Sequence, residues 1–220
     1  MLMSVLVVAA ALVVAYLLGA IPGGYIIARH HGIPDLRKVG SGNVGATNVV
    51  RLLGFRAGIW VYVLDIAKGV LAEVIGLFVV QDIMGRELFL LLVALAAILG
   101  HVFPIYIGFR GGKGVNTALG TMLVLLPLET LCCVAVFLVV AFATRYISLG
   151  SILGALTLPT VLLVERYAFG WDVSDVYLIM TITIGLLVPL THYKNVGRLL
   201  AGTESRFSLK GSGGKGASRG

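Results

Sequence analysis

Most of this chain consists of hydrophobic runs long enough to cross a lipid bilayer, and that constrains its fold more than any other feature. A helix needs about 20 apolar residues to cross the hydrocarbon core. The runs at 2–28, 57–80 and 88–107 each meet that length. A fourth, at 115–143, is too long for one span and is interrupted by Pro127-Leu128-Glu129-Thr130, and runs at 147–164 and 176–190 complete the set. Of the 220 residues, 59% are hydrophobic and 12% charged, against the roughly one-quarter charged expected of a soluble domain. The chain therefore reads as an all-α, polytopic membrane helix bundle. Its first run lacks a basic leader and a small-residue cleavage pattern before Arg29, so it is expected to be a retained span.

Charge placement sets the expected orientation. Arg29, Arg37, Lys38, Arg51 and Arg56 assign the first loop to the cytoplasm, and Lys194, Arg198, Arg206 and Lys210 assign the tail to the same side. The connectors at 81–87 and 165–175 are acidic and poor in Lys and Arg, so they face outward, while Arg110 and Lys113 belong inside. One crossing by 115–143 would put the tail outside, against its charge. Two shorter helices turning at Pro127–Thr130 restore parity and give seven spans, N-terminus out and C-terminus in. The half reaching Pro127 is about 20 Å long, so it must tilt or be shielded by protein. Five full spans with an interfacial hairpin is the alternative, and in both arrangements the three polar motifs share one side. The membrane domain is expected over 1–207, followed by a flexible, glycine- and serine-rich tail at 208–220.

The net charge of +7 raises nucleic acid as a partner, but basic residues collect in the cytoplasmic loops of membrane proteins anyway, so none is expected. Cys132 and Cys133 are adjacent on an apolar run, which suits buried small hydrophobes and neither a disulfide nor a metal site.

Three short polar segments interrupt the apolar pattern. The first runs Gly40-Ser41-Gly42-Asn43-Val44-Gly45-Ala46-Thr47-Asn48. Gly40 and Gly42 let the loop wrap tightly, and Ser41 and Asn43 offer hydrogen bonds to a phosphate oxygen or a hydroxyl. Asn48 and Arg51, spaced i and i+3, share a face of the helix expected to start near Gly45 or Ala46. A capped glycine-rich turn is the plainer reading of this segment alone.

The second segment, Phe109-Arg110-Gly111-Gly112-Lys113-Gly114, places three glycines around one lysine at a helix start, a plausible anion nest. It is not a nucleotide P-loop, because the glycine spacing is wrong and Gly114 stands where Ser or Thr would bind magnesium. In the third, His192, Asn195 and Arg198 fall along one helical stripe, which either faces solvent or joins the same pocket. Glu204 is expected to pair with an arginine and fix the tail.

Other polar residues are assigned supporting roles. Asp65 and Lys68, i and i+3 inside the second run, are costly charges in lipid and are expected to pair with each other or with a loop arginine. His101 suits a structural hydrogen bond as well as a substrate contact. His30 and Asp35 have the spacing of a soluble-type acyltransferase motif, but Gly32 and Pro34 lie between them and the companion motifs are absent.

Taken in order and spacing, these strings resemble the bacterial acyl-phosphate-dependent glycerol-3-phosphate acyltransferase family through Phe207. The strings are Gly-Ser-Gly-Asn-Val-Gly-Ala-Thr-Asn with Arg51, Gly-His-Val-Phe-Pro with Phe-Arg-Gly-Gly-Lys-Gly, and His192 through Arg-Leu-Leu-Ala-Gly-Thr-Glu. The resemblance implies transfer of a fatty acyl group from acyl phosphate to the 1-position of sn-glycerol 3-phosphate, giving lysophosphatidic acid and inorganic phosphate. Ser41 and Arg51 would be catalytic or orienting, Gly111, Gly112, Lys113 and Gly114 would hold a phosphate, and His192 and Asn195 would complete the site. Arg110 stands where the family more often has Lys, and Asn116 where it more often has Ala. It also implies a bacterial inner-membrane enzyme with a cytoplasm-facing site, a functional link to whatever enzyme makes acyl phosphate, and action as a monomer. No cofactor or metal is expected, since an acyl phosphate is already activated.

The chemistry asks the protein to hold two repelling anions together, stabilise an oxyanion and remove one proton. Arg51, Lys113 and Arg198 offset the repulsion, and the glycine-loop N–H groups and Ser41 are the expected donors. His192 is the side-chain candidate for the base, with a substrate phosphate oxygen as the other. Small residues Gly120, Gly150, Ser151, Gly154 and Ala155 are expected to open an acyl groove between spans. A carrier for phosphorylated molecules and a non-catalytic scaffold are the rival readings. The carrier requires polar groups along a path across the membrane, for which Asp65, Lys68, Glu73 and His101 are the deep candidates.

Overall fold

The computed structural model describes residues 2–79 and 85–207, all of whose regular structure is helical. The connector expected to face outward falls partly, and the glycine-rich tail wholly, outside the described residues. Without water in the hydrocarbon core, backbone N–H and C=O groups must bond within the segment, and helices achieve that at every residue.

The helices are α1 (Leu2–Ala20), α2 (Gly23–His30), α3 (Ala46–Leu53), α4 (Phe55–Val79), α5 (Arg86–Val102), α6 (Val115–Leu125), α7 (Pro127–Thr144), α8 (Ile147–Tyr167), α9 (Asp175–Thr191) and α10 (Tyr193–Leu200). Pro22, which has no N–H to donate, separates α1 from α2, but together they form one apolar stretch, Leu2–His30, long enough to cross a membrane as expected. The 115–143 run does break, but at Leu126. Pro127 occupies the first turn of α7, where its missing N–H costs nothing, so Pro127–Thr130 begins a helix and is not the turn itself. Thr130 Oγ1 donates to Leu126 O at 2.6 Å across that junction.

Polarity is arranged inside out. Trp60, Phe78, Leu128 and Phe142 stand exposed on the helices, as suits lipid contact, while Asp65, Lys68 and Glu73 of α4 are all buried. Those three charges set α4, though 25 residues long, apart from the helices that are apolar along their whole length. Cys132 is exposed and Cys133 half-buried, which corrects the expectation that both are enclosed: a long helix with little protein cover turns one of any two neighbours to lipid.

Close helix contact is made at glycines. A side chain on Gly120 would strike Ile66 O of α4, and one on Gly69 would strike Thr117 O of α6, so these two helices meet backbone to backbone. This places α6 against α4, α7 against α8, and α8 against α9. The beginnings of α4, α6 and α8 and the ends of α5, α7 and α9 gather at one end of the bundle. The chain leaves that end along α6 and returns to it along α7.

Filling the α4–α6 contact should be costly. Gly120→Ile is expected to lose about 1–3 kcal/mol through overpacking, lowering the thermal midpoint in detergent by roughly 3–10 °C. Leu128→Ala on the outer surface should leave it unchanged. A Gly120→Ile protein melting with the wild type would mean that the two helices do not pack as described.

Candidate active site

All three polar segments line one cavity of about 860 Å³ at that end of the bundle. Its mouth is polar, and its interior runs between α6, α7, α8 and α9 past Met122, Phe137, Leu158 and Ile184.

The first wall is the loop before α3. Gly40 and Gly42 take positive φ of 61° and 73°, the left-handed region that glycine enters without strain. Asn48, buried in the first turn of α3, holds this loop in shape. Its Oδ1 accepts from Ser41 N at 2.9 Å, while its Nδ2 donates to Val39 O at 3.2 Å and Asn43 O at 2.9 Å. Asn43 Oδ1 in turn accepts from Gly45 N at 2.7 Å. Asn48 was expected to touch substrate, but its amide is committed to backbone, so it positions Ser41 instead. Ser41 itself is exposed at the cavity, and Arg51 lines it one turn beyond Asn48.

The second wall is the loop between α5 and α6. Gly111 N donates to Val102 O at 3.0 Å and Gly112 N to His101 O at 3.1 Å, so the loop folds back onto the last turn of α5. A side chain on Gly112 would collide with the His101 imidazole. The glycines thus serve close approach. Their N–H groups, like those of Ser41, Gly42 and Gly45, are already engaged by protein, which corrects the expectation of a backbone nest offered to an anion. Arg110 is exposed and does not line the cavity, so the structure moves it out of the expected binding set. It follows a residue of left-handed backbone, Phe109, and the chain there turns away from the pocket.

The third wall is the α9–α10 corner, where the axis bends by 61°. Lys113 Nζ donates to Asn195 Oδ1 at 2.5 Å, and Asn195 Nδ2 donates to Glu204 Oε1 at 2.6 Å. Glu204 also accepts from Ser148 Oγ at 2.7 Å and Arg198 Nε at 2.6 Å. Burial opposes the Glu204 charge, but the Ser148, Asn195 and Arg198 hydrogen bonds outweigh it and hold its carboxyl below the usual range. Burial pushes Lys113 down to about 8, helped by the Arg198 and Arg51 cations and resisted by Glu204. His192, just past the end of α9, is driven to about 4 by burial and then by Lys113. Its Nδ1 lies 2.8 Å from Val188 O and must therefore donate, leaving Nε2 a bare acceptor.

Ser148 and Thr191, which donates to Lys113 O at 3.0 Å, were not singled out in the sequence. Neither carries a local signal, since serine and threonine near helix ends are commonplace. Deeper down, Asp65 and Lys68 pair at 2.9 Å and His101 Nδ1 lies 2.8 Å from Lys68 Nζ, so these three support one another. Asp65 and His101 reach the cavity wall. His30 and Asp35 do not: His30 is exposed, and Asp35 caps a short 3₁₀ turn and chelates Arg37. Of the small residues, Ser151, Gly154 and Ala155 line the cavity, whereas Gly120 and Gly150 are helix-packing contacts.

The helical bundle thus joins a cationic mouth to an apolar chamber among helices of membrane-spanning length. The family model for glycerol-3-phosphate acyltransferase matches residues 9–202. A glycerol-3-phosphate acyltransferase of Geobacter sulfurreducens is 43% identical over 195 residues, covering 88% of this chain and 94% of the relative. One from Chlorobaculum tepidum is 37% identical over 223 residues, covering 91% and 96%. A crystal structure of PlsY, an integral membrane glycerol 3-phosphate acyltransferase in its glycerol 3-phosphate form, superposes with a TM-score of 0.81 at 39% identity, covering 91% of this chain and 96% of that one. This chain belongs to the glycerol-3-phosphate acyltransferase family and is a membrane acyltransferase. The carrier and scaffold readings are thereby set aside.

The Lys113 environment predicts a pH profile. Its folded value is lowered, so the ammonium is fully present below about pH 8 and lost above it. The ratio kcat/KM should fall about tenfold per unit above that point, and Lys113→Arg should move the fall beyond pH ~10. An unchanged limb in Lys113→Arg would assign it to another group.

Proposed function

We infer that the chain transfers a fatty acyl group from acyl phosphate to the 1-hydroxyl of sn-glycerol 3-phosphate, releasing lysophosphatidic acid and inorganic phosphate. The observation that carries this reading is one cavity joining Arg51, Lys113 and Arg198 to an apolar chamber between α6 and α9. Two phosphates need the cations, and one acyl chain needs the chamber. Solved structures of PlsY include a glycerol 3-phosphate form and a lysophosphatidic acid form, which supports that pair as substrate and product here. The concentration of Lys and Arg at the cavity end supports a cytoplasmic site in the bacterial inner membrane.

In the proposed reaction, Lys113 and Arg198 neutralise the glycerol 3-phosphate, while Arg51 and Ser41 bind the acyl phosphate and its developing oxyanion. The 1-hydroxyl attacks the acyl carbonyl carbon. A C–O ester bond forms, the carbonyl carbon–oxygen bond to phosphate breaks, and the departing phosphate takes the hydroxyl proton. His192 is a poor base at about 4, but its bare Nε2 is suited to accept from the hydroxyl and aim it. The base role therefore passes to the substrate phosphate. The reaction consumes an acyl phosphate, so an acyl-phosphate-forming enzyme must supply it.

The test is phosphate release from acyl phosphate and glycerol 3-phosphate by purified protein in detergent, without vesicles. Lys113→Ala should raise KM for glycerol 3-phosphate about ten- to a hundredfold, as expected for a lost charge-assisted bond. Ser41→Ala should lower kcat by about a hundredfold with little change in KM. Absence of turnover with acyl phosphate, alongside turnover with an acyl thioester, would overturn the donor assignment.

A further inference from the structure

Directly beneath the Gly111–Gly112 loop lies a buried charged cluster. Lys68 Nζ is 2.9 Å from Asp65 Oδ1, 2.9 Å from Ile21 O and 2.8 Å from His101 Nδ1. An ammonium has three protons and no lone pair, and Lys68 gives hydrogen bonds to Ile21 O and His101 Nδ1 while the Asp65 carboxylate faces it as an ion-pair partner. His101 Nδ1 must then be the accepting nitrogen, which puts the proton of the neutral ring on Nε2. A neutral ring also leaves the cluster with one negative and one positive charge, the least costly state for a site removed from water. Asp65 Oδ1 is 3.5 Å from His101 Nδ1, so carboxylate, ammonium and ring form one cluster.

The other edge of the ring faces the loop. A Cβ on Gly112 would collide with His101 Nε2, so glycine at this position lets the imidazole edge reach the cavity, where His101 is 7% exposed. Among the described residues Nε2–H meets no acceptor. That N–H faces the cavity, where a bound anion would accept it in a charge-assisted hydrogen bond stronger than one to a neutral acceptor.

We propose that His101 donates Nε2–H to a substrate phosphate held against the Gly111–Gly114 loop, with Lys68 and Asp65 as positioning residues that fix its tautomer. The identity of that substrate rests on the acyl-transfer reading. Glycerol 3-phosphate and acyl phosphate carry the same recognised group, and the kinetic arm below tells them apart.

The full chain in detergent, labelled with ¹⁵N-histidine, provides the first test, with inorganic phosphate as the probe. The His101 signals are assigned by their loss in His101→Gln, or by replacing the other three histidines. The expected result is a protonated Nε2 and a bare Nδ1, with the Nε2–H resonance shifting saturably as phosphate is added. A proton on Nδ1, or no response from Nε2 while Lys113-dependent phosphate binding occurs, overturns the proposal. This arm does not depend on turnover, so it survives a failure of the acyl-transfer reading.

The kinetic arm uses two replacements. His101→Gln, whose amide nitrogen reaches the Nε2 position, should keep KM within about threefold for both substrates. His101→Leu should raise one KM about tenfold or more with kcat within about threefold. The substrate affected is the one whose phosphate His101 touches. Equal impairment by Gln and Leu, in step with a lowered thermal midpoint, would make the residue merely structural and refute the direct contact.

Discussion

Lys68 ties three separate parts of the chain together at one buried point. Its ammonium bonds the carbonyl at the α1–α2 break, the carboxylate one turn away on α4 and the imidazole at the end of α5. The α5–α6 loop then packs on that imidazole through Gly112. Removing one partner from a buried ion pair costs about 3–5 kcal/mol, because the remaining charge is stranded in a low dielectric. The phosphate loop therefore sits on a floor that is expensive to move, which is the condition for preorganised recognition of an anion.

Above that floor, a second polar layer is organised around Glu204. The carboxylate gathers Ser148, Asn195 and Arg198, and Asn195 passes the arrangement to Lys113. The cations lining the mouth, Arg51, Lys113 and Arg198, outnumber this carboxylate. The segment after α10 is itself tied down, with Phe207 N donating to Arg145 O at 2.7 Å at the α7–α8 corner. That bond brings residues 203–207 across the mouth, and both Ser205 and Phe207 line the cavity.

The two halves of the cavity use small residues differently. At the mouth, Gly111 and Gly112 let the loop lie against α5. Deeper in, Gly69 and Gly120 draw α4 and α6 together, and Gly154 with Ser151 and Ala155 leaves space beside α7. The cavity thus joins a fixed polar frame to an apolar chamber between helices.

The helical class, the broken run at 115–143, the placement of Ser41, Arg51, Lys113, His192 and Asn195 at the ends of apolar segments, and the internal pairing of Asp65 with Lys68 were all legible in the sequence. Each rests on local composition or on a spacing of three or four residues, and neither changes with the rest of the fold. Tertiary structure decided the remainder. It turned Arg110 away from the pocket, spent the Asn48 amide and the glycine N–H groups on backbone carbonyls, buried His192 until it became a weak base, and set the His101 ring edge under Gly112. These outcomes depend on which atoms from distant segments arrive within about 3 Å of one another, the reach of a hydrogen bond. Burial and hydrogen-bond partners are properties of that assembly, so only the folded chain determines them.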